Sequence, residues 1–127
     1  MRKLALGLAL LSLTLATAWG AALRPDSGAT TVLTGTVGTV GDPDAPVITL
    51  TDDAGQPVST LPAGPYQIQV SDLSAIHNFH LKGGTVDEAT TVPEITDITI
   101  DVTLEPGAYT FVCDPHSKTM VGHFSVT

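Results

Sequence analysis

Regular alternation of apolar and polar residues is the clearest pattern along this chain, and it is strongest between positions 97 and 105. Acidic residues and threonines there alternate with four apolar residues, which are Ile98, Ile100, Val102 and Leu104. Successive side chains of a β-strand point to opposite faces of its sheet. This period of two therefore predicts a half-buried strand with one face toward solvent.

Other short runs of apolar or β-branched residues predict further strands. These strands are expected over 31–40, 47–51, 57–61, 66–70, 109–113 and 121–126. Clusters of Pro, Gly and Asp separate the runs and are typical of tight turns, and helical periodicity is lacking after the N-terminal segment. The pattern predicts an all-β fold, an antiparallel β-sandwich. For residues 83–94, a loop and a short helical turn both remain open.

The first 22 residues have a different character and are expected to lie outside the sandwich. A basic start precedes an apolar run, Leu4 to Ala18, and small residues follow it. A membrane-spanning helix needs about 20 apolar residues, so this shorter run indicates a secretory signal peptide, with an uncleaved N-terminal anchor as the alternative. The predicted division is a signal peptide over 1–22, a leader and first-strand region over 23–45, and the main domain over 46–127, with the strand at 31–40 joining the sandwich.

The net charge of the chain limits the classes of molecule that it is expected to bind. The whole chain has a formal net charge of −8, and removal of residues 1–22 would leave three basic residues against thirteen carboxylates, a net charge of −10. Such a domain is a poor binder of nucleic acid, because phosphate contacts depend on clustered Lys and Arg. Its field favours basic partners. We expect an exported, periplasmic or secreted monomer that is not inserted in a membrane after cleavage.

The candidate chemistry lies near the C-terminus, where Cys113, His116 and Met120 follow one another closely. Cys113 is the only cysteine, so it has no internal disulfide partner. Intermolecular pairing, burial as an inert thiol and metal ligation are the possible roles. Thiolate and thioether suit Cu(I), and imidazole suits Cu(II), so this set favours copper. Zinc also binds Cys and His, but its structural sites more often contain two to four cysteines.

A second histidine for this site is expected from His77. If residues 77–82 are extended, His77 shares the apolar face with Phe79 and Leu81, whereas His80 lies on the polar face with Asn78. A lone histidine on an apolar strand is more often a hydrogen-bonded core residue than a ligand. The downstream Cys, His and Met make ligation by His77 the better interpretation.

Neighbouring residues are expected to support the site rather than bind the metal. His80 is predicted to face solvent or to lie just behind the ligands, and His123 is predicted to be exposed because it alternates with Phe124. Pro115 fixes its own φ and biases Asp114 toward an extended conformation. We therefore expect a stiff ligand loop, which would limit movement of the ligands when the metal changes its oxidation state.

This arrangement resembles that of the cupredoxins, the small blue-copper family that includes plastocyanin, pseudoazurin and amicyanin. The resemblance covers roughly 46–127 and rests on His77-Asn78 and on the C-terminal Cys-loop-His-loop-Met. It implies a Greek-key strand order and one type 1 copper ion that cycles between Cu(I) and Cu(II). The implied ligands are His77, Cys113, His116 and, as a weak axial donor, Met120.

The same resemblance implies roles for two further residues. Asn78 is expected to form hydrogen bonds across the ligand loops near the copper. Tyr109 is expected to form a tyrosine corner at the start of the strand that carries the cysteine. Val112 stands where plant plastocyanins have a tyrosine that serves as a remote electron exit, so that second route is not expected here.

Two functions fit such a site. The first is electron transfer through the His116 edge, with a basic redox protein such as a c-type cytochrome or an oxidase as partner. The second is copper carriage or buffering in the periplasm without redox turnover. We expect no enzyme: four histidines are too few for this site and a trinuclear copper cluster, and nothing in the sequence indicates the oxyanion hole that a cysteine hydrolase needs.

Overall fold

The computed structural model describes residues 29–127, and these residues form nine β-strands and one short 3₁₀ turn. The strands are β1 Thr31–Val37, β2 Ile48–Thr51, β3 Thr60–Leu61, β4 Gly64–Asp72, β5 His80–Gly83, β6 Val86–Ala89, β7 Thr96–Leu104, β8 Gly107–Val112 and β9 Val121–Val126. The 3₁₀ turn is Asp114–His116. The predicted signal peptide, 1–22, lies outside the described residues. Within 29–127 no helix is long and apolar enough to cross a membrane.

The strands form two sheets, which confirms the predicted β-sandwich. One sheet has the order β2-β1-β4-β7 and the other has the order β3-β9-β8-β5-β6. Most neighbours are antiparallel, but β1 pairs with β4 and β3 pairs with β9 in parallel. The sheets are therefore mixed rather than purely antiparallel. Parallel neighbours need a crossover connection, and the chain between β1 and β4 supplies one by visiting both sheets.

The predicted strands 47–51 and 57–61 are joined by a tight turn but pair with each other over only a short distance. The turn forms as predicted, with the Asp52 carboxylate accepting hydrogen bonds from the backbone amides of Ala54 and Gln56 at 3.0 and 2.8 Å. The returning segment then makes one isolated bridge, Thr51 with Pro57. Its last two residues pair instead with β9 in the opposite sheet. The predicted strand at 57–61 is thus reduced to β3.

Residues 83–94 are neither a plain loop nor a helical turn, because they contain strand β6. This strand forms an antiparallel hairpin with β5. Gly83 ends β5 and Gly84 begins the two-residue turn to β6, and their φ angles of 151° and 56° suit glycine. A side chain at Gly83 would also collide with the ring of Tyr109. A Gly-Gly pair is typical of the tight turn of a hairpin, so this hairpin could have been predicted from the sequence.

The core lies between the two sheets and follows the predicted alternation. In β7, Ile100 and Leu104 are buried while Ile98 and Val102 are partly buried, and the intervening acidic residues lie toward solvent. Within the second sheet, the ring of Phe79, just before β5, stacks on the ring of Phe111 in the neighbouring strand β8, with centroids 6.0 Å apart. This packing fixes β8, the strand that leads to Cys113.

Tyr109 forms the expected tyrosine corner. Its hydroxyl donates to the backbone oxygen of Glu105 and accepts from the backbone amide of the same residue, both at 3.0 Å. Tyr66 makes a similar contact, because its hydroxyl donates to the backbone oxygen of Pro62 at 2.8 Å. Bonds of this kind anchor a buried ring at the start of a strand. The start of β8 is therefore fixed four residues before Cys113, on the strand that carries it.

Candidate metal centre

Three neighbouring strands bring the predicted site residues to one end of the sandwich. Cys113 directly follows β8, Met120 directly precedes β9, and His77 lies just before β5. The strand β8 lies between β9 and β5 and is antiparallel to both. The end of β8 therefore lies beside the starts of its two neighbours, and residues 36 positions apart in sequence meet there.

Possible ligand atoms of His77, Cys113 and His116 converge on one point and lie within 4.8 Å of one another. The Nδ1 atoms of the two histidines are 2.9 Å apart. The Sγ atom of Cys113 lies 3.7 Å from each of them. Two imidazole nitrogens and one sulfur thus face a common centre, a donor set that suits copper.

The orientation of His77 is set by a backbone carbonyl. Its Nε2 atom lies 3.0 Å from the oxygen of Asp44. A carbonyl can only accept a hydrogen bond, so Nε2 carries the proton and Nδ1 presents a lone pair to the site. The Asp44 side chain is held in turn, because the Ser74 hydroxyl donates to it at 2.8 Å. Neither residue's role was recognisable from the sequence, since the contact to His77 comes from the Asp44 main chain.

The ligand set is buried except at one edge. His77 and Cys113 are 2% and 0% exposed, whereas His116 is exposed. It lines a shallow surface pocket together with its loop neighbours Pro115, Ser117, Lys118 and Thr119. A metal ion among these donors would therefore be shielded from water and approached most directly through the His116 ring.

Met120 is buried at 1% exposure and closes the ligand loop through its backbone. Its oxygen accepts a hydrogen bond from the Cys113 amide at 2.9 Å, and its amide donates to the oxygen of His116 at the same distance. The main chain of Met120 is thus attached to two of the other predicted ligands. Axial ligation by its sulfur stays a prediction.

Asp114 is not extended, as the proline after it had suggested, but starts the 3₁₀ turn. The turn is closed by a hydrogen bond from the His116 amide to the Cys113 oxygen at 3.1 Å. The Asp114 amide also donates to the Asn78 side chain at 2.8 Å. These two bonds outweigh the weaker conformational bias that proline places on its predecessor.

Asn78 bridges the ligand loops, as the family resemblance had implied. Its amide nitrogen donates to the Asp114 carboxylate at 2.9 Å and to the backbone oxygen of Thr90 at 3.3 Å. Asn78 and His80 both bond to the Asp114 carboxylate, which agrees with their predicted place on one face. Asn78 is nevertheless only 4% exposed, because the loops to which it bonds cover this face.

The remaining histidines lie outside the converging group, as expected. His123 is exposed, and its Nδ1 lies 3.0 Å from the Thr110 hydroxyl. His80 lies behind the ligand loop, with Nδ1 at 2.8 Å from an oxygen of Asp114 and Nε2 facing the carboxylate of Asp87. It therefore contacts the ligand loop without reaching the centre itself.

Two carboxylates near the site have shifted pKa values. Burial raises the pKa of Asp72. Hydrogen bonds from Thr90 and Ser74 and the nearby His77 act in the opposite direction.

The pKa of Asp114 is lowered. Partial burial acts to raise it, but hydrogen bonds from Asn78 and His80, together with the charges of His80 and Lys82, lower it overall. Asp114 is thus stabilised in its charged form.

Asp72 and Thr90 support the segment before β5 and were not identified from the sequence. The Thr90 hydroxyl donates to the Asp72 carboxylate at 2.6 Å and accepts from the Phe79 amide at 2.8 Å. Asp72 is 1% exposed and ends β4 in the other sheet. This chain of bonds connects the two sheets directly beside His77 and Asn78.

Comparison with known proteins shows similarity at the level of three-dimensional structure. No protein-family model matches the chain, and neither does any curated protein sequence. The copper protein rusticyanin is similar with a TM-score of 0.55 and 17% identity over 80% of each chain. Reduced rusticyanin gives a TM-score of 0.50 and 22% identity over 80% of this chain and 81% of that one.

A multi-copper oxidase from Pediococcus acidilactici has a similar unit within a much larger protein. The TM-score is 0.51 with 16% identity, and the match covers 84% of this chain but 28% of the oxidase. All of these identities are low. The similarity therefore establishes the fold, while the chemistry has to be argued from the residues of this chain.

Proposed function

From the cupredoxin fold and the convergence of His77, Cys113 and His116 on one point, we propose that this chain is an exported type 1 copper protein that transfers electrons. The observation that carries the proposal is that two Nδ1 atoms lie 2.9 Å apart and the thiol sulfur lies 3.7 Å from each of them. Burial of His77 and Cys113, with only the His116 ring exposed, suits an electron carrier rather than an enzyme.

The residues fit one copper ion on the chemistry of their donors. Cys113 would supply a soft thiolate, and the two histidines would supply imidazole nitrogens. His77 has the required lone pair on Nδ1 because its Nε2 proton is directed at the Asp44 oxygen. Met120 is proposed as the weak axial donor. When bound, copper supplies a one-electron Cu(I)/Cu(II) couple.

The protein's contribution is to hold these donors still. The backbone of the ligand loop is closed by bonds from Cys113 to Met120 and from Met120 to His116. Asn78 ties this loop to the segment that carries His77. A site held in this way changes little between oxidation states, which favours rapid electron exchange. A copper carrier would instead need a loop that opens to release its metal.

The exposed ring of His116 is the proposed point of electron entry and exit. His77 and Cys113 are buried, so the shortest way from solvent to the centre passes through this ring. The proposed partner is a redox protein with a basic surface, for example a c-type cytochrome or an oxidase. Its positive charge complements the acidic domain, with three basic residues against thirteen carboxylates after cleavage.

Export follows from the proposed signal peptide at 1–22. The intact mass of the protein recovered from the periplasm or medium should correspond to a chain that starts soon after Ala18 to Ala22. A protein retained in the membrane fraction with Met1 in place would contradict this proposal.

The copper site is tested by absorption spectroscopy of the purified protein with one equivalent of Cu(II). We expect one bound copper and an intense thiolate-to-copper band. Cys113→Ser should abolish the band, because a hydroxyl does not replace a soft, deprotonated thiolate. His77→Ala and His116→Ala should also remove it, whereas the matched changes His80→Ala and His123→Ala should keep it. Loss of the band in His80→Ala but not in His77→Ala would overturn the assignment.

A further inference from the structure

We propose that His80 is a positioning residue for the metal centre. Held between Asp114 and Asp87, it fixes and balances the Asp114 charge beside Cys113 and so raises the reduction potential, an inference that rests on the proposed copper function. His80 does not belong to the donor group itself, which consists of His77, Cys113 and His116.

Both ring nitrogens of His80 face carboxylates. Nδ1 lies 2.8 and 3.0 Å from the two oxygens of Asp114, and Nε2 faces an oxygen of Asp87. An ionised carboxylate only accepts hydrogen bonds, and the ring can donate from both nitrogens only in its doubly protonated form. The His80 side chain is 16% exposed, against 79% for Asp87 and 45% for Asp114. The ring is thus the most shielded member of the group.

Asp114 connects this group to the proposed copper site. It directly follows Cys113, and its amide and its carboxylate are both bonded to Asn78, at 2.8 and 2.9 Å. Its charge is therefore held at a fixed place on the residue that follows Cys113. An uncompensated negative charge favours the more positive ion, Cu(II), and lowers the reduction potential. A cation held against that carboxylate acts in the opposite direction.

One other cation faces Asp114 among the residues that the structure describes. The Lys82 ammonium lies 3.4 Å from the Asp114 carboxylate, with 47% of its side chain exposed. A pair of this length and exposure is screened by solvent and contributes little. His80 is closer, more shielded and bonded at both ends. It is therefore the better candidate for a fixed counter-charge.

The first test is a double-mutant cycle on the copper-loaded protein, read as its electron-exchange equilibrium with a redox mediator. His80→Asn should shift this equilibrium toward Cu(II) by roughly three- to tenfold, where tenfold is about 59 mV for one electron. Asp114→Asn should shift it the other way. In the Asp114→Asn background, His80→Asn should have less than half its original effect, because the carboxylate that links His80 to the ligand loop has been removed.

The matched control is His123→Asn, which changes an exposed histidine whose partner is the Thr110 hydroxyl. It should leave the equilibrium within about twofold of the unchanged protein, since exposed charges are screened. The proposal is overturned if His80→Asn shifts the equilibrium no more than His123→Asn does. It is also overturned if the His80 effect has the opposite sign or is equal in both Asp114 backgrounds.

A second readout needs no copper and separates this inference from the proposed function. In the copper-free full chain, His80→Asn should speed amide hydrogen exchange at Asp114 by about tenfold or more, because local opening there becomes easier. His123→Asn should leave it unchanged. If copper gives no thiolate band but this exchange effect appears, the proposed function fails and the positioning contact stands. If amide hydrogen exchange at Asp114 is unchanged in His80→Asn, the proposed positioning role of His80 is overturned.

Discussion

Asn78 and Asp114 are joined by hydrogen bonds in both directions, although they are 36 positions apart in the sequence. The Asp114 amide donates to the Asn78 oxygen at 2.8 Å, and the Asn78 nitrogen donates to the Asp114 carboxylate at 2.9 Å. Each residue directly follows a proposed copper ligand. The pair therefore couples the position of His77 to that of Cys113.

The first prediction concerns this coupling. Asn78→Ala should lower the free energy of unfolding by about 1–3 kcal/mol, because it leaves a partly buried amide and a carboxylate without their partner. Denaturant unfolding of the copper-free protein measures this. Gln67→Ala is the control, since its side chain bonds to Asp101 on an exposed face at 3.2 Å. An equal cost for both changes would show that the Asn78 bridge contributes no special stability.

The parts of the fold that were predictable are those that local pattern determines. Alternation located β4, β7, β8 and β9, and parity placed Phe79 and Leu81 inside and His123 outside. His77, Cys113 and His116 were recognisable as candidate ligands because the chain has only one cysteine and four histidines. Their convergence in the structure agrees with that expectation.

The parts that were not predictable depend on contacts distant in sequence or on the main chain. The orientation of His77 is set by the Asp44 carbonyl, and any residue could supply a carbonyl. The parallel pairing of β1 with β4 depends on how the chain crosses between sheets, which no local period encodes. Strand β6 is a different case: the glycines before it did signal a hairpin, but its own residues are mostly exposed and polar and show no alternation, so it was missed.

A second prediction tests the packing that supports the cysteine strand. Gly122 of β9 lies opposite Phe111 of β8, and a Cβ added there would overlap the Phe111 ring. That ring is stacked on Phe79 and has little room to retreat. Gly122→Ala should therefore destabilise the fold by about 1–3 kcal/mol.

The control for this change is Gly41→Ala. A Cβ at Gly41 would meet nothing within 4 Å, so this variant should unfold within about 0.5 kcal/mol of the parent. Thermal or denaturant unfolding of both variants and the parent measures the difference in stability. Equal midpoints for Gly122→Ala and the parent would mean that β9 shifts to make room, against the register described above.

A third prediction concerns the proposed axial ligand. Met120→Leu should keep copper and colour but raise the reduction potential, because loss of a weak donor destabilises Cu(II) more than Cu(I). The side chain is buried and the two residues have similar volumes, so stability should fall by less than about 1.5 kcal/mol. Potentiometry and electron-spin resonance measure the effect. An unchanged potential with an unchanged spectrum would show that the Met120 sulfur is not a ligand.

The last prediction separates electron transfer from copper carriage by using the charge of the domain. At a net charge of about −10 after cleavage, oxidation of the reduced protein by a basic cytochrome should be fast and should slow steeply as salt rises. The reason is that the Debye length shortens from about 10 Å at 0.1 M to about 3 Å at 1 M. Stopped-flow measurements across a salt series give this dependence.

Copper retention is the companion measurement, because an electron carrier keeps its metal while the electron moves. The reduced protein should hold copper against a Cu(I) chelator of moderate strength, since the ligand loop is closed by backbone bonds between Cys113, Met120 and His116. A carrier would pass Cu(I) to the chelator and exchange electrons slowly. The electron-transfer proposal fails if copper loss is rapid while oxidation by the basic acceptor is slow and insensitive to salt.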